Sequence, residues 1–187
     1  MNPKKAMEFA EAVKDRGPLV FMTYYNIPLQ YGLADFVSDA KKNGVDGIII
    51  PDLPLEEAEP LYLECKKRDV SLIFLVAPTT DEERMEKIIN ESEGYLYLVS
   101  TLGVTGAKES VSEITKNLIS KVKTISKGKI PLAVGFGISK PEHVTEVLKQ
   151  GADAVIVGSA IVEKIHSSPI SELAKFVSDL KKSTKYL

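Results

Sequence analysis

The chain has 187 residues, 44% of them hydrophobic and 27% charged, which is ordinary globular composition and long enough for one buried core. Its 24 basic and 26 acidic residues leave a net charge of -2, and no Lys/Arg cluster interleaves with aromatics, which argues against a nucleic-acid partner. The longest apolar runs, such as Ile48 to Ile50 and Leu72 to Ala77, fall far short of the ~20 residues of a membrane span, and no secretory signal opens the chain, so a cytoplasmic location is expected.

The chain opens on an amphipathic pattern that reads as a helix over Pro3 to Arg16, carrying Met7, Phe9, Ala10 and Val13. Six apolar runs then read as strands: Pro18 to Tyr24, Gly47 to Pro51, Ser71 to Ala77, Tyr95 to Ser100, Pro131 to Phe136 and Ala154 to Gly158. They are nearly continuous in apolar character, as strands covered on both faces should be. Helical stripes lie between them: Leu33, Phe36, Val37 and Ala40; Ala58, Leu61, Tyr62 and Cys65; Val144, Val147 and Leu148. Thr80 with Glu83, Ser110 with Glu113 and Ser139 with Glu142 have capping-box spacing, and Gly17, Gly44 and Gly151 read as helix stops. Cys65 has no second cysteine to pair with and reads as packing.

Six strand-helix units of about 31 residues fill the chain, and eight would need about 250, the usual size of a (β/α)8 barrel. The expected fold is therefore α/β, of the TIM-barrel family, with six of eight units present. Residues 1–187 read as a single phosphate-binding domain, with the missing units on the N-terminal side because the chain opens on a helix. A doubly wound open sheet is the alternative that counting cannot separate.

Three consecutive strands end in glycine: Gly103 to Gly106, then Gly135-Phe136-Gly137, then Gly158-Ser159. Glycine there lets backbone N-H groups approach an anion, and the helix starting near Ser159 aims its N-terminus at the same place. That is the phosphate site barrels build after their last two strands. Earlier strand ends carry Tyr24, Tyr25, Asn26, Asp52, Pro54 and Pro78, with Tyr97 inside the fourth strand, a lining suited to an aromatic or apolar phosphate ester. Tyr97 reads equally as core, and Asp52 equally as a turn cap. His143 and His166 fall on helices, away from the strand ends, and read as surface or packing residues. No Cys/His set has metal-ligand spacing, no Ser-His-Asp set converges, and no cofactor is expected.

The runs Phe21 to Asn26, Gly44 to Pro54, Ala77 to Thr80, Tyr97 to Ala107, Val134 to Ser139 and Val157 to Val162 together resemble the tryptophan synthase α-subunit family. Singly they are weak; the ordered set, with Gly-Val-Thr-Gly-Ala after a Tyr-rich strand, is specific. The resemblance implies that Gly106, Gly135, Phe136, Gly137, Gly158 and Ser159 hold or adjoin a substrate phosphate. It implies that Met22, Tyr24, Ile49, Tyr97 and Ile156 surround an indole ring and glycerol chain, and that Thr105 belongs to a loop closing over the substrate. Pro54 matches a proline near the contact with a β subunit in an α2β2 complex. The implied reaction is retro-aldol cleavage of indole-3-glycerol phosphate to indole and glyceraldehyde 3-phosphate.

The glutamate and aspartate that move protons in that family have no match in this sequence, and Asp52 matches neither. Their usual setting would lie upstream of the opening helix, so no catalytic residue is assigned and the chain alone is expected to be inactive. A non-catalytic phosphate-binding or β-subunit-binding regulator is the alternative. Another phosphate-binding barrel enzyme would be expected to show lysine or several carboxylates at its strand ends.

Overall fold

The computed structural model describes residues 2–99, 112–135 and 137–185. Two compact units emerge, Met1–Phe74 with Glu91–Gly94 and Leu75–Asn90 with Tyr95–Leu187, each built on a parallel sheet of its own.

In the first unit, α1 (Pro3–Val13) begins where the Asn2 side chain accepts the Lys5 amide at 2.9 Å, with Pro3 at a position whose missing N-H costs nothing. It buries Met7 and Ala10 and tightens into a 3-10 turn over Lys14–Arg16, within the expected helix. The sheet runs β1 (Leu19–Met22), β2 (Val45–Ile49), β3 (Ser71–Ile73). Between strands lie α2 (Asn26–Tyr31), α3 (Leu33–Lys42) and α4 (Glu59–Lys67). The stripes read from sequence are the faces they bury: Phe36, Val37 and Ala40 on α3, Leu61 and Cys65 on α4. Burial pushes the Cys65 thiol up to about 12, so it is packing and not a nucleophile.

The second unit carries β4 (Leu75–Val76), β5 (Leu96–Val99), β6 (Leu132–Gly135) and β7 (Ala154–Ile156), paired in that order. Its helices are α5 (Glu82–Glu91), α6 (Glu113–Ser126), α7 (Pro141–Lys149), α8 (Ser159–Ser167) and α9 (Ile170–Lys182). Val76, Leu96, Leu98, Val134, Ile119 and Val122 are wholly enclosed and form its core.

Several expectations need correction. The third strand is two segments: Ser71–Ile73 follows the ladder of β2, Leu75–Val76 that of β5, and Phe74 belongs to neither. A one-residue break in pairing leaves the apolar pattern unchanged, so the sequence does not register it. The caps differ too. The Arg84 amide is taken by Asp81, while Thr80 accepts from Ala77; α6 is capped by Ser112; and α7 starts from Lys140 with no side-chain cap, Pro141 setting its first turn. Each shift moves the cap to a polar residue nearer the helix, where its side chain or backbone meets the free N-H groups. Coverage on both faces holds for β5 and β6, whereas β1 leaves Val20 38% and Met22 53% exposed.

One device recurs in both units. The Asp46 carboxylate accepts the Leu19 amide at 2.9 Å, and the Asp153 carboxylate accepts the Leu132 amide at 2.8 Å. Each aspartate stands two residues after a glycine with positive φ, Gly44 or Gly151, and bonds to the first residue of the neighbouring strand. The glycine turns the chain out of the helix and the carboxylate fixes where the strands begin. All strand pairs then leave their C-terminal ends on one side of each sheet.

Candidate anion site at the strand ends

The site is built from register. Gly135, the last residue of β6, pairs with Ile156, the last of β7, and with Val99, the last of β5. Gly137 and Gly158 each follow two residues beyond the Gly135–Ile156 pair, so both leave the sheet at the same end of adjacent strands. Gly137 takes φ +75, where any side chain would be strained, and is exposed. Gly158 caps α8: its carbonyl accepts from Ile161 at 2.9 Å and Val162 at 3.1 Å, which leaves the Ser159 and Ala160 amides without an intrahelical acceptor. Those amides and the helix dipole favour an anion immediately past β7.

Tyr97 stands beside this end of the sheet. It is 5% exposed on β5, and its phenol lies so close over Gly135 that an added Cβ would meet the hydroxyl and the ring. Gly135 is thus glycine for space, whereas Gly137 is glycine for backbone conformation. Burial, with Tyr95 adding to it, raises the phenol above its ordinary value, so it remains protonated and able to donate.

In the first unit, Met22 pairs in register with Ile49 at the ends of β1 and β2, and the Thr23 amide continues the ladder to the Ile49 carbonyl at 3.1 Å. Ile49 is buried and Tyr24 exposed. The Tyr25 amide donates to Asp52 Oδ1 at 2.9 Å, tying the turn that carries Tyr24 to the turn that carries Pro54. Asp52 therefore acts as a backbone tether, the structural half of the sequence reading. Pro54 is half-buried and starts a 3-10 turn over Leu55–Glu57. Thr105, Gly106 and Phe136 lie outside the described residues, as does the Gly103 to Gly106 arm of the expected cradle.

A separate groove of about 720 Å³ runs along β7, lined by Val144, Leu148, Val155, Ile161, Val177 and Leu180 among others. Its lining is mainly apolar and does not include Gly135, Gly137 or Ser159. No group of three His, Cys, Asp or Glu residues able to hold a metal exists among the described residues. Nor is any helix among them long and apolar enough to cross a membrane.

The family model described as tryptophan synthase alpha chain matches residues 1–186. The chain belongs to the tryptophan synthase alpha chain family. A tryptophan synthase alpha chain of Methanocaldococcus jannaschii is 55% identical over 166 residues, covering 87% of this chain and 58% of that one. One from Arabidopsis thaliana is 46% identical over 169 residues, covering 88% and 61%. This chain therefore spans about three fifths of the length of these alpha chains. A solved Pyrococcus furiosus structure, described as showing the mutual activation of the tryptophan synthase α2β2 complex, superposes with a TM-score of 0.89 at 36% identity, over 97% of this chain and 75% of that one. The fold class is accordingly that of the alpha chains, the α/β TIM barrel, as the glycine-ended strands and the ordered motifs led us to expect and strand counting alone did not.

Sequence reasoning missed Asp46 and Asp153 as strand-setting carboxylates, although Gly-x-Asp occurs at both places and was the available signal. It reads His143 as a surface or packing residue, and the structure places it in the interior. His143 is 2% exposed, and its Nδ1 accepts the Ser139 amide at 3.4 Å, just beyond the Gly137 turn.

Proposed function

We propose that this chain binds indole-3-glycerol phosphate by its phosphate and serves the tryptophan synthase α reaction, the carbon-carbon cleavage that gives indole and glyceraldehyde 3-phosphate. The observation that carries the reading is the Gly135–Ile156 register, which delivers the Gly137 turn and the N-terminus of α8 to the same end of neighbouring strands. Backbone amides there would hold the dianion without any lysine or arginine, using positive φ at Gly137 and the free Ser159 and Ala160 amides. The Ser159 hydroxyl adds one more donor. Gly135, Gly158, Phe136 and Gly106 complete the proposed phosphate contacts. Tyr97 and Ile156 supply apolar lining beside that end of the second unit's sheet, and Met22, Tyr24 and Ile49 stand at the strand ends of the first unit.

Cleavage requires a proton delivered to the indole carbon and one removed from the glycerol hydroxyl. The buried Tyr97 phenol is too weak an acid for the first task and, protonated, is no base for the second. This chain's contribution is therefore binding and orientation, and binding that is equal in ground and transition states does not accelerate chemistry. A β subunit is the proposed partner, on the ground of the α2β2 complex named for the Pyrococcus furiosus relative, and the turn at Pro54 is its proposed contact on the family resemblance alone.

Isothermal titration of the purified chain with sn-glycerol 3-phosphate tests the binding. We expect saturable one-to-one binding that Ser159→Glu abolishes, because a carboxylate at the first position of α8 would occupy and repel the same charge. Heat identical in the two proteins would remove the reading. An indole-release assay on the same sample is expected to show no turnover.

A further inference from the structure

We infer that His143 is a positioning residue for this anion site, its Nδ1 holding the Ser139 amide and thereby the Gly137–Ser139 turn. The inference rests on the proposed phosphate reading and adds to it the side chain that keeps the turn in its binding shape.

His143 sits in the first turn of α7 and is 2% exposed, beside Val144, Val147 and Leu148, which are buried on the same helix. Its backbone amide bonds to the Lys140 carbonyl at 3.2 Å, and its Nδ1 accepts from the Ser139 amide at 3.4 Å. The imidazole bond thus closes residues 139–143, and the backbone bond closes residues 140–143 within it. Two residues before Ser139 stands Gly137, exposed and at φ +75, the residue offered to the phosphate. Ile138 between them is buried.

An acceptor at Nδ1 assigns the hydrogen to Nε2. Nε2 and the Ser139 Oγ are both enclosed, and neither has a partner among the described residues. An enclosed donor without an acceptor costs stability, so an apolar side chain of similar volume would pack here at least as well. Packing therefore does not account for an imidazole at this place. The single bond to the Ser139 amide does, because that bond fixes the backbone from which Gly137 projects.

The experiment uses the whole 187-residue chain. Affinity for sn-glycerol 3-phosphate is measured by titration calorimetry for the unchanged protein, His143→Leu, His143→Asn and His143→Gln, with urea unfolding of each. His143→Leu should unfold at the same or higher urea concentration yet bind about tenfold more weakly, because the turn loses the one bond that holds it. Asparagine places an oxygen acceptor where Nδ1 stands and should restore affinity to within about threefold, whereas glutamine, which reaches the Nε2 position, should not. Nitrogen-detected NMR of the imidazole should find the hydrogen on Nε2. If His143→Leu fails to fold, the order of asparagine above glutamine carries the test. Equal affinity in all variants, or a hydrogen on Nδ1, overturns the assignment while leaving the phosphate site standing. An unchanged protein that does not bind the ester removes the phosphate reading itself, and this inference with it.

Discussion

The phenol of Tyr97 lies across Gly135, filling the space into which a Cβ on that residue would project. The two residues sit on adjacent strands, β5 and β6, near the strand ends, so the ring and the start of the Gly137 turn are fitted to each other. Gly135→Ala should push the ring aside and cost about 1–3 kcal/mol, the usual penalty for an added methyl in a filled core. Pairing it with Tyr97→Leu should recover part of that loss. Urea unfolding of both single variants and the double variant gives the coupling, and strictly additive costs would show that the two residues do not touch.

Cys65 gives a pH signature. Burial holds its thiol protonated in the folded chain up to about 12, against an ordinary value of 9.0 once unfolded. The folded form keeps the proton more tightly, so its contribution is intact below pH 9.0 and is lost as pH rises toward about 12. Native thiol labelling should be far slower than labelling in urea, and stability should fall across that window. Cys65→Ala should flatten the decline, and the same slope in both proteins would contradict the burial argument.

The carboxylate of Asp153 holds the first amide of β6. Asp153→Ala should cost about 1–3 kcal/mol for the unmet donor and speed hydrogen exchange at Leu132, while Asp153→Asn keeps an acceptor and most of the protection. Exchange at Leu132 that ignores both changes would mean the bond does not form in solution.

At the end of α6, Lys127 adopts φ 49, the left-handed region in which a side chain crowds the following carbonyl. Lys127→Gly should therefore raise stability by about 0.5–1 kcal/mol, since glycine takes this conformation without that crowding. A thermal melt reads the change, and a lower midpoint would refute it.

Among the described residues, β1 pairs only with β2 and β7 only with β6, and β1 leaves Val20 and Met22 exposed. Open edges with apolar faces recruit other strands. Light scattering should show mass rising with protein concentration, and Val20→Lys should reduce the rise. A concentration-independent monomer would argue that the edges are already protected.

The helix stripes were legible because α3, α4 and α7 each bury one face against a strand of their sheet, so the period of 3.6 is written into which residues are apolar. Phe36, Val37 and Ala40 on α3, and Val144, Val147 and Leu148 on α7, follow directly. The glycines after the strands were legible for a similar reason: only glycine tolerates the φ that Gly137 needs or the space Tyr97 leaves at Gly135. Strand count was read less well, since a ladder that lapses at Phe74 changes hydrogen bonds and no side-chain chemistry.

What the sequence determined alone was the α/β alternation, the positions of the turns and, through the ordered motifs, the family. Each depends on residues close together in the chain, where local backbone geometry and side-chain period leave a direct trace. Which strand ends meet, which aspartate bonds to which distant amide, and that His143 is enclosed beneath the Gly137 turn depended on register and burial. Those are relations across tens of residues or across the packed interior, set by the whole core and carried by no short stretch of the chain.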